Sequence, residues 1–342
     1  MDAVEEHPTP VTVHGRRGLL AAVPFVLGFR PAASLVLLTI TLSPGAARVV
    51  SAMRVDIDAP WAQVRGRLLP RLRAERCGLV VAGYCGPQEE QRVRDVVADL
   101  RRASVVVLDA YVVDGDVATG IPVDRQAPWA CGVPGPDDPQ VVELGMAMAL
   151  RGRGVLGDRS AVVRSVAAPE GGRARAGSGA TDRAAGRLLD VLAGAAAGGA
   201  DCLLREIDRA ADSARQDWDA RRTVDVDLAA DLAVLVWDPV ARDRLLGRLL
   251  RAEAQPWIPV LVSVVTAIPD PQAAAIVATL AVAAYRHGDG ALSTVCVDRC
   301  LQADPGHRLA QLLRAAAAAG LPPDDLGLLG RTSSDLNAGT TG

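Results

Sequence analysis

The chain has 342 residues, of which half are apolar and 23% are charged, a composition typical of about two globular domains and unlike that of a disordered chain. The formal net charge is −3, so no overall basic field favours nucleic acid or an anionic membrane. All 37 basic residues are arginine, which excludes a lysine Schiff base and a phosphate loop that ends in Gly-Lys.

The sequence predicts no export signal, membrane span, metal site or cofactor. Residues 1–10 are acidic and polar, unlike a signal peptide, and Pro24, Arg30 and Pro31 interrupt the most apolar stretch, 19–42. The six cysteines form no Cys-x-x-Cys pair and the four histidines are scattered, so soft metal ligands do not cluster along the chain. We therefore expect a cytoplasmic protein with free cysteines.

The first half of the chain predicts an α/β domain over residues 15–168, preceded by a flexible tail over 1–14. Apolar, β-branched runs alternate with amphipathic helical segments. In chain order, the predicted elements are a helix over 17–29, strands over 34–42 and 47–57, a helix over 60–76, a strand over 78–83, a helix over 88–103, strands over 104–113 and 116–121, and a helix over 139–150. The turns Pro44-Gly45 and Asp114-Gly115 predict two hairpins, so we expect a mixed sheet with flanking helices.

A linker is predicted over residues 169–181, because the segment EGGRARAGSG holds glycine, serine and arginine but no large apolar residue. Residues 182–322 then predict an all-α domain of helical hairpins, and 323–342 predict a second flexible tail. The predicted helices cover 182–197, 201–221, 225–236, 239–254, 256–267, 271–287, 289–303 and 305–319.

Three Asp-Pro pairs, beginning at Asp238, Asp270 and Asp304, punctuate this half. Asp is a good N-cap and Pro a good first helical residue, so each pair can begin a helix. Their spacings of 32 and 34 residues are close to the period of a tetratricopeptide repeat. Residues 274–305 also resemble one such unit, with Ser293 and Cys300 as the small residues where paired helices approach closely. The region near 239–319 is therefore predicted to be tetratricopeptide-like.

Three segments resemble an actinobacterial family known as domain of unknown function 4192. They are LLAAVPFVLGFRPAASLVLL at 19–38, DLAVLVWDPVARDR at 231–244 and RHGDGALSTVCVDRCLQADPGHRLAQLL at 286–313. The resemblance spans nearly the whole chain and implies a cytoplasmic actinobacterial protein. It implies no established reaction, substrate or catalytic residue.

Four residues of the α/β half, Arg30, Ser34, Asp56 and Tyr84, are candidate ligand-binding residues. Arg30 and Ser34 lie at a predicted helix-to-strand junction, where a guanidinium can hold a carboxylate or phosphate; the alternative is an ion pair of Arg30 with Asp56 or Asp58. Tyr84 follows a predicted strand, and ligands favour the carboxyl ends of strands, although a plain connection is the alternative. Asp56 and Asp58 suit a metal or an acid/base pair, or are a solvated strand end.

Two classes of function therefore stay open. The first is a binding or scaffold protein whose helical domain engages a partner protein or a second copy of itself, without nucleic acid or membrane. The second is an enzyme or small-molecule sensor with an anion-accepting pocket near Arg30, Asp56 and Tyr84. The sequence holds no catalytic constellation, which favours the first class, and the many arginines favour an acidic partner.

Overall fold

The computed structural model describes residues 11–74, 77–123, 127–149, 154–198, 201–250 and 257–319, together with 321, 323 and 326. Contacts between residues divide the chain into two compact units, one of Pro8–Arg159 and one that includes Ser160–Gly342. Of the two predicted tails, residues 1–10 and 327–342 lie outside the described residues.

The first unit has the predicted α/β architecture, although it spans Pro8–Arg159 where the sequence predicted 15–168. Its elements are β1 (Val11–Val13), α1 (Gly15–Leu27), β2 (Ser34–Ser43), β3 (Ala46–Asp56), α2 (Trp61–Ala74), β4 (Gly78–Tyr84), α3 (Glu90–Arg102), β5 (Val107–Asp114), β6 (Val117–Gly120), β7 (Ala130–Gly132) and α4 (Pro139–Ala149). The strands form one sheet in the order β1-β3-β2-β4-β5-β6-β7. Strands β4 and β5 pair in parallel, while the other described pairs are antiparallel. The mixed sheet is therefore confirmed, because the helix α3 joins the parallel pair and hairpins join β2 to β3 and β5 to β6.

The sheet buries both of its faces. On one face, Leu37 and Val81 pack with Leu100 of α3 and Leu72 of α2 in one apolar cluster. On the other face Val36, Leu38 and Ala82 are fully buried. Because successive side chains of a strand point to opposite faces, burial on both faces accounts for the unbroken apolar runs 35–38 of β2 and 79–82 of β4.

Two short edge strands were not predicted. Strand β1 lies within the predicted tail and pairs with β3, with Val11 opposite Val49. Strand β7 pairs with β6, with Cys131 opposite Ala118. The tail prediction is thus wrong over 11–13, since a three-residue strand carries too little periodicity to be recognised without its partner.

The second unit is all-helical across its described residues, as predicted. Its helices are α5 (Arg159–Ser165), α6 (Gly171–Gly198), α7 (Asp201–Arg221), α8 (Val226–Leu235), α9 (Pro239–Leu249), α10 (Trp257–Val265), α11 (Ala274–Arg286), α12 (Gly290–Ala303) and α13 (Arg308–Ala319). Helix α7 matches its predicted bounds, and the other predicted helices are found with shifts of a few residues at their ends, except that α6 begins eleven residues before the predicted start at 182.

Most of the predicted linker belongs to α6, so the interpretation of this segment as a loop is wrong. The glycines of this segment suggested a loop, but Gly177, which lies within the helix, is needed for packing. A Cβ added at Gly177 would lie only 2.4 Å from the carbonyl oxygen of Ala267, so this glycine permits close packing between α6 and the segment that follows α10. The Thr181 hydroxyl donates to the Gly177 carbonyl oxygen at 2.8 Å within the same buried contact. The alanines and arginines around it favour helix.

The Asp-Pro pairs do not all begin helices. Asp238 caps α9, because its carboxylate accepts from the backbone N–H groups of Val240 and Ala241. Asp304 instead ends α12, and α11 begins three residues after Pro271. Asp270 does not cap a helix as predicted. Its carboxylate instead accepts hydrogen bonds from Arg299 at 3.2 Å.

The pairing predicted for α11 and α12 is found. The two helices pack against each other across a short turn, where Asp289 caps α12 by accepting from the N–H of Leu292. Ser293 and Cys300 are buried, and the Cys300 thiol lies 3.2 Å from the carbonyl oxygen of Ala274. Small side chains at these two positions let the helices approach closely.

Candidate functional site

Three of the four predicted site residues lie side by side at one end of the sheet. Strand β2 runs between β3 and β4, and Ser34 is paired with Asp56 on one side and with Tyr84 on the other. Arg30 lies in the loop that leads into β2, with an exposed side chain, and its backbone N–H donates to the carbonyl oxygen of Leu156 at 3.3 Å. The sheet therefore brings Ser34, Asp56 and Tyr84 together and leaves Arg30 facing solvent.

Arg54 of β3 joins two of these residues. Its Nε donates to the Ser34 hydroxyl oxygen at 2.7 Å, and its Nη2 donates to Asp56 Oδ1 at 2.5 Å. Asp56 thus pairs with Arg54 instead of with Arg30, the partner considered from the sequence. Asp58, the other partner considered, lies in the exposed turn after β3. The i, i+2 spacing of Arg54 and Asp56 puts both on one face of a strand and is the signal by which the sequence could have shown their pairing.

The loop before β2 has a fixed conformation. Ala33 has a φ of +45°, a left-handed conformation that costs a non-glycine residue about 1–2 kcal/mol. Two hydrogen bonds hold this turn: the buried Ser34 hydroxyl donates to the Ala32 carbonyl oxygen at 2.6 Å, and the Ile57 N–H donates to that of Ala33 at 2.9 Å. The Ser34 hydroxyl therefore anchors the loop, and its proton is donated to Ala32 instead of to a ligand.

Tyr84 and Cys85 are both held in their protonated forms. Burial raises the pKa of the Tyr84 phenol well above its usual value near 10. The pKa of the Cys85 thiol is also raised, first by burial and then by the nearby charges of Glu89 and Asp114. Tyr84 is therefore suited to donating a hydrogen bond and unsuited to acting as a base at neutral pH, while Cys85 is a poor nucleophile.

A small cleft opens at the same end of the sheet, on the side of α2 and α3. It holds about 220 Å³ of empty space, a volume that includes the solvent at its open mouth. Arg92 donates to the carbonyl oxygen of Ala59, and the Trp61 indole N–H donates to Asp99 at 3.0 Å, so these polar groups have partners. The residues that line the cleft are Leu35, Val55, Asp56, Ile57, Ala59, Trp61, Arg92 and Val96.

A second polar cluster lies at the other side of the sheet, where α1 begins. Arg16 Nε donates to the buried carboxylate of Asp109 at 2.6 Å, and the Arg16 guanidinium lies 4.7 Å from the ring centroid of Trp129. Trp129 meets Tyr111 edge-on, with 5.7 Å between ring centroids. Neither the Tyr111 hydroxyl nor the Trp129 indole N–H has a hydrogen-bond partner in the described part of the chain. Sequence reasoning missed this cluster because its members come from three separate segments: α1, β5 and the loop before β7.

In the helical unit, two ladders of arginine–aspartate ion pairs join neighbouring helices. In each ladder the partners recur four residues apart on both helices, so they share one face of each helix. The α6–α8 ladder pairs Arg183 with Asp227 and Arg187 with Asp231, and the α7–α9 ladder pairs Asp208 with Arg244 and Asp212 with Arg248, all at 2.5–2.7 Å. These four arginines therefore already have carboxylate partners within the helical unit.

The junction of α8 and α9 exposes two large apolar side chains, one in the turn and one in the first turn of α9. Trp237 is 44% exposed and Val240 is 51% exposed. The Trp237 indole N–H donates to the carbonyl oxygen of Gln272 at 3.1 Å, which fixes the ring beside the segment that leads into α11. We call Trp237 and Val240 the α8–α9 patch.

Two features are absent from the described residues. The described His, Cys, Asp and Glu side chains nowhere form a group of three or more that could hold a metal ion. Among the described helices, none combines the length and apolar character that crossing a bilayer requires.

The fold defines a class of protein in which a seven-stranded mixed α/β unit precedes an all-helical unit. A model of the family described as domain of unknown function DUF4192 matches residues 17–324, so the chain belongs to this family. This confirms the resemblance drawn from the three sequence segments. No curated protein and no solved structure matches the chain.

Proposed function

We propose that the protein is a binding or scaffold protein whose helical unit engages a partner protein or a second copy of this chain. The observation that carries the proposal is the α8–α9 patch. Tryptophan is among the residues that contribute most to protein–protein binding energy, and the chain has only five. The ring of Trp237 is nearly half exposed, whereas Trp257 in the same unit is buried.

The geometry of the patch suits binding. The hydrogen bond from Trp237 to Gln272 holds the ring in place, so less side-chain entropy is lost when a partner covers it. Val240, in the first turn of α9, is the second exposed apolar side chain of the patch. The complementary partner surface therefore presents apolar side chains.

The architecture of the helical unit adds support. The α11–α12 pair, with its buried Ser293 and Cys300, is consistent with a tetratricopeptide-like arrangement, and stacks of such helix pairs form surfaces that receive peptides or domains. We include in the proposal a tetratricopeptide-like character near 239–319 and a cytoplasmic, actinobacterial setting. Neither nucleic acid nor a membrane is part of the proposed partnership.

The test compares partner capture by three forms of the full chain: wild type, Trp237→Ala and Leu189→Ala. Leu189 is a matched control, because it is a large apolar residue of the same unit and is 68% exposed. Each tagged chain is used to capture partners from native extract, and light scattering measures self-association of the purified chain. A photoreactive residue at position 240 then identifies what contacts the patch.

The proposal predicts that wild type and Leu189→Ala capture the same partner or form the same oligomer. Trp237→Ala should lose at least tenfold in affinity, since replacing a hot-spot residue costs about 2 kcal/mol or more. A monomer that captures nothing, or equal capture by all three forms, would overturn it.

A second candidate function is a small-molecule sensor or enzyme with an anion-accepting pocket in the α/β unit. Its support is that Asp56 lines the cleft together with Trp61 and Arg92. A screen of anionic metabolites by thermal shift tests it, with Arg92→Leu as the variant and Arg48→Leu, at an exposed position on β3, as the control. A ligand that stabilises wild type and the control but not Arg92→Leu supports this function; if no ligand stabilises wild type, this candidate fails.

A further inference from the structure

We draw no further inference here: the strongest candidate, the exposed apolar face that Val142 and Met146 form on α4, carries nothing because nothing in the structure shows what covers it.

Discussion

Replacing Arg299 should destabilise the helical unit more than replacing any exposed arginine of that unit. The Arg299 side chain is only 10% exposed. Its Nη1 donates to the carbonyl oxygens of Val166 at 2.6 Å and Val265 at 2.9 Å, and its Nη2 donates to that of Ile268 at 3.3 Å. Its Nε and Nη2 also bind the carboxylate of Asp270. One guanidinium therefore joins α12 to the ends of α5 and α10.

The size of the effect follows from what Arg299→Met would leave behind. Methionine fills much of the volume but donates nothing, so three carbonyl oxygens and one carboxylate lose a charged donor. Removing one partner of a buried ion pair costs about 3–5 kcal/mol. The whole free energy of unfolding of a domain is about 5–15 kcal/mol. At about 2–4 °C per kcal/mol for a unit of this size, the melting temperature should fall by roughly 6–20 °C.

Urea denaturation followed by circular dichroism at 222 nm measures the change, with thermal melts as a second readout. Arg314→Met is the matched control, because Arg314 is exposed on α13 and has no ion pair among the described residues. The control should change the free energy of unfolding by at most about 0.5 kcal/mol. Equal effects of the two substitutions, or an Arg299→Met effect below about 1 kcal/mol, would refute the reasoning, because the network would then contribute little to stability.

Three further predictions concern single side chains of the helical unit. Gly177→Ala should destabilise by roughly 1–3 kcal/mol, whereas Gly186→Ala in the same helix, with open space around its Cβ, should be neutral or stabilising in denaturant titrations. Cys300→Leu should cost roughly 1–3 kcal/mol by overpacking. Because burial raises the pKa of the Cys300 thiol to about 12, thiol reagents should modify it only after unfolding, and rapid modification of the native protein would contradict its placement. The hydrogen bond from Arg244 lowers the pKa of the Asp208 carboxyl below its usual value of 3.8. The ion pair therefore stabilises the fold above pH 3.8, and this stabilisation is lost as the pH falls through the lowered pKa. Asp208→Asn should therefore lower the urea midpoint at pH ~7 and have a much smaller effect at pH ~2.5; an equal loss at both would show that the ion pair is not the cause.

Local patterns determined much of the fold from the sequence. The 3.6-residue apolar period predicted the bounds of α7, and Gly28, with a φ of +80°, ends α1 where expected because glycine adopts that conformation without strain. The hairpin of β2 and β3 followed from an apolar run, the turn Pro44-Gly45 and a second run. These features are encoded within a few neighbouring residues, so the sequence suffices to predict them.

The candidate site was predicted only in part for the same reason. The placement of Ser34, Asp56 and Tyr84 at strand ends followed from the predicted strands. That these three are neighbours depends on the strand order, in which β2 lies between β3 and β4. The partnership of Arg54 with Ser34 depends on the β2–β3 register, since 20 residues separate them along the chain.

Tertiary structure alone decided the contacts between distant segments. Composition predicted a loop around Gly177, but its packing against Ala267 explains the glycine within a helix. Asp270 has the sequence signature of a helix cap, yet it pairs with Arg299, 29 residues away. Trp237 is exposed and Trp257 is buried, although each adjoins an apolar run along the sequence. Such outcomes depend on which surfaces the folded chain brings together, because burial and pairing are properties of the packed helices and not of any single segment.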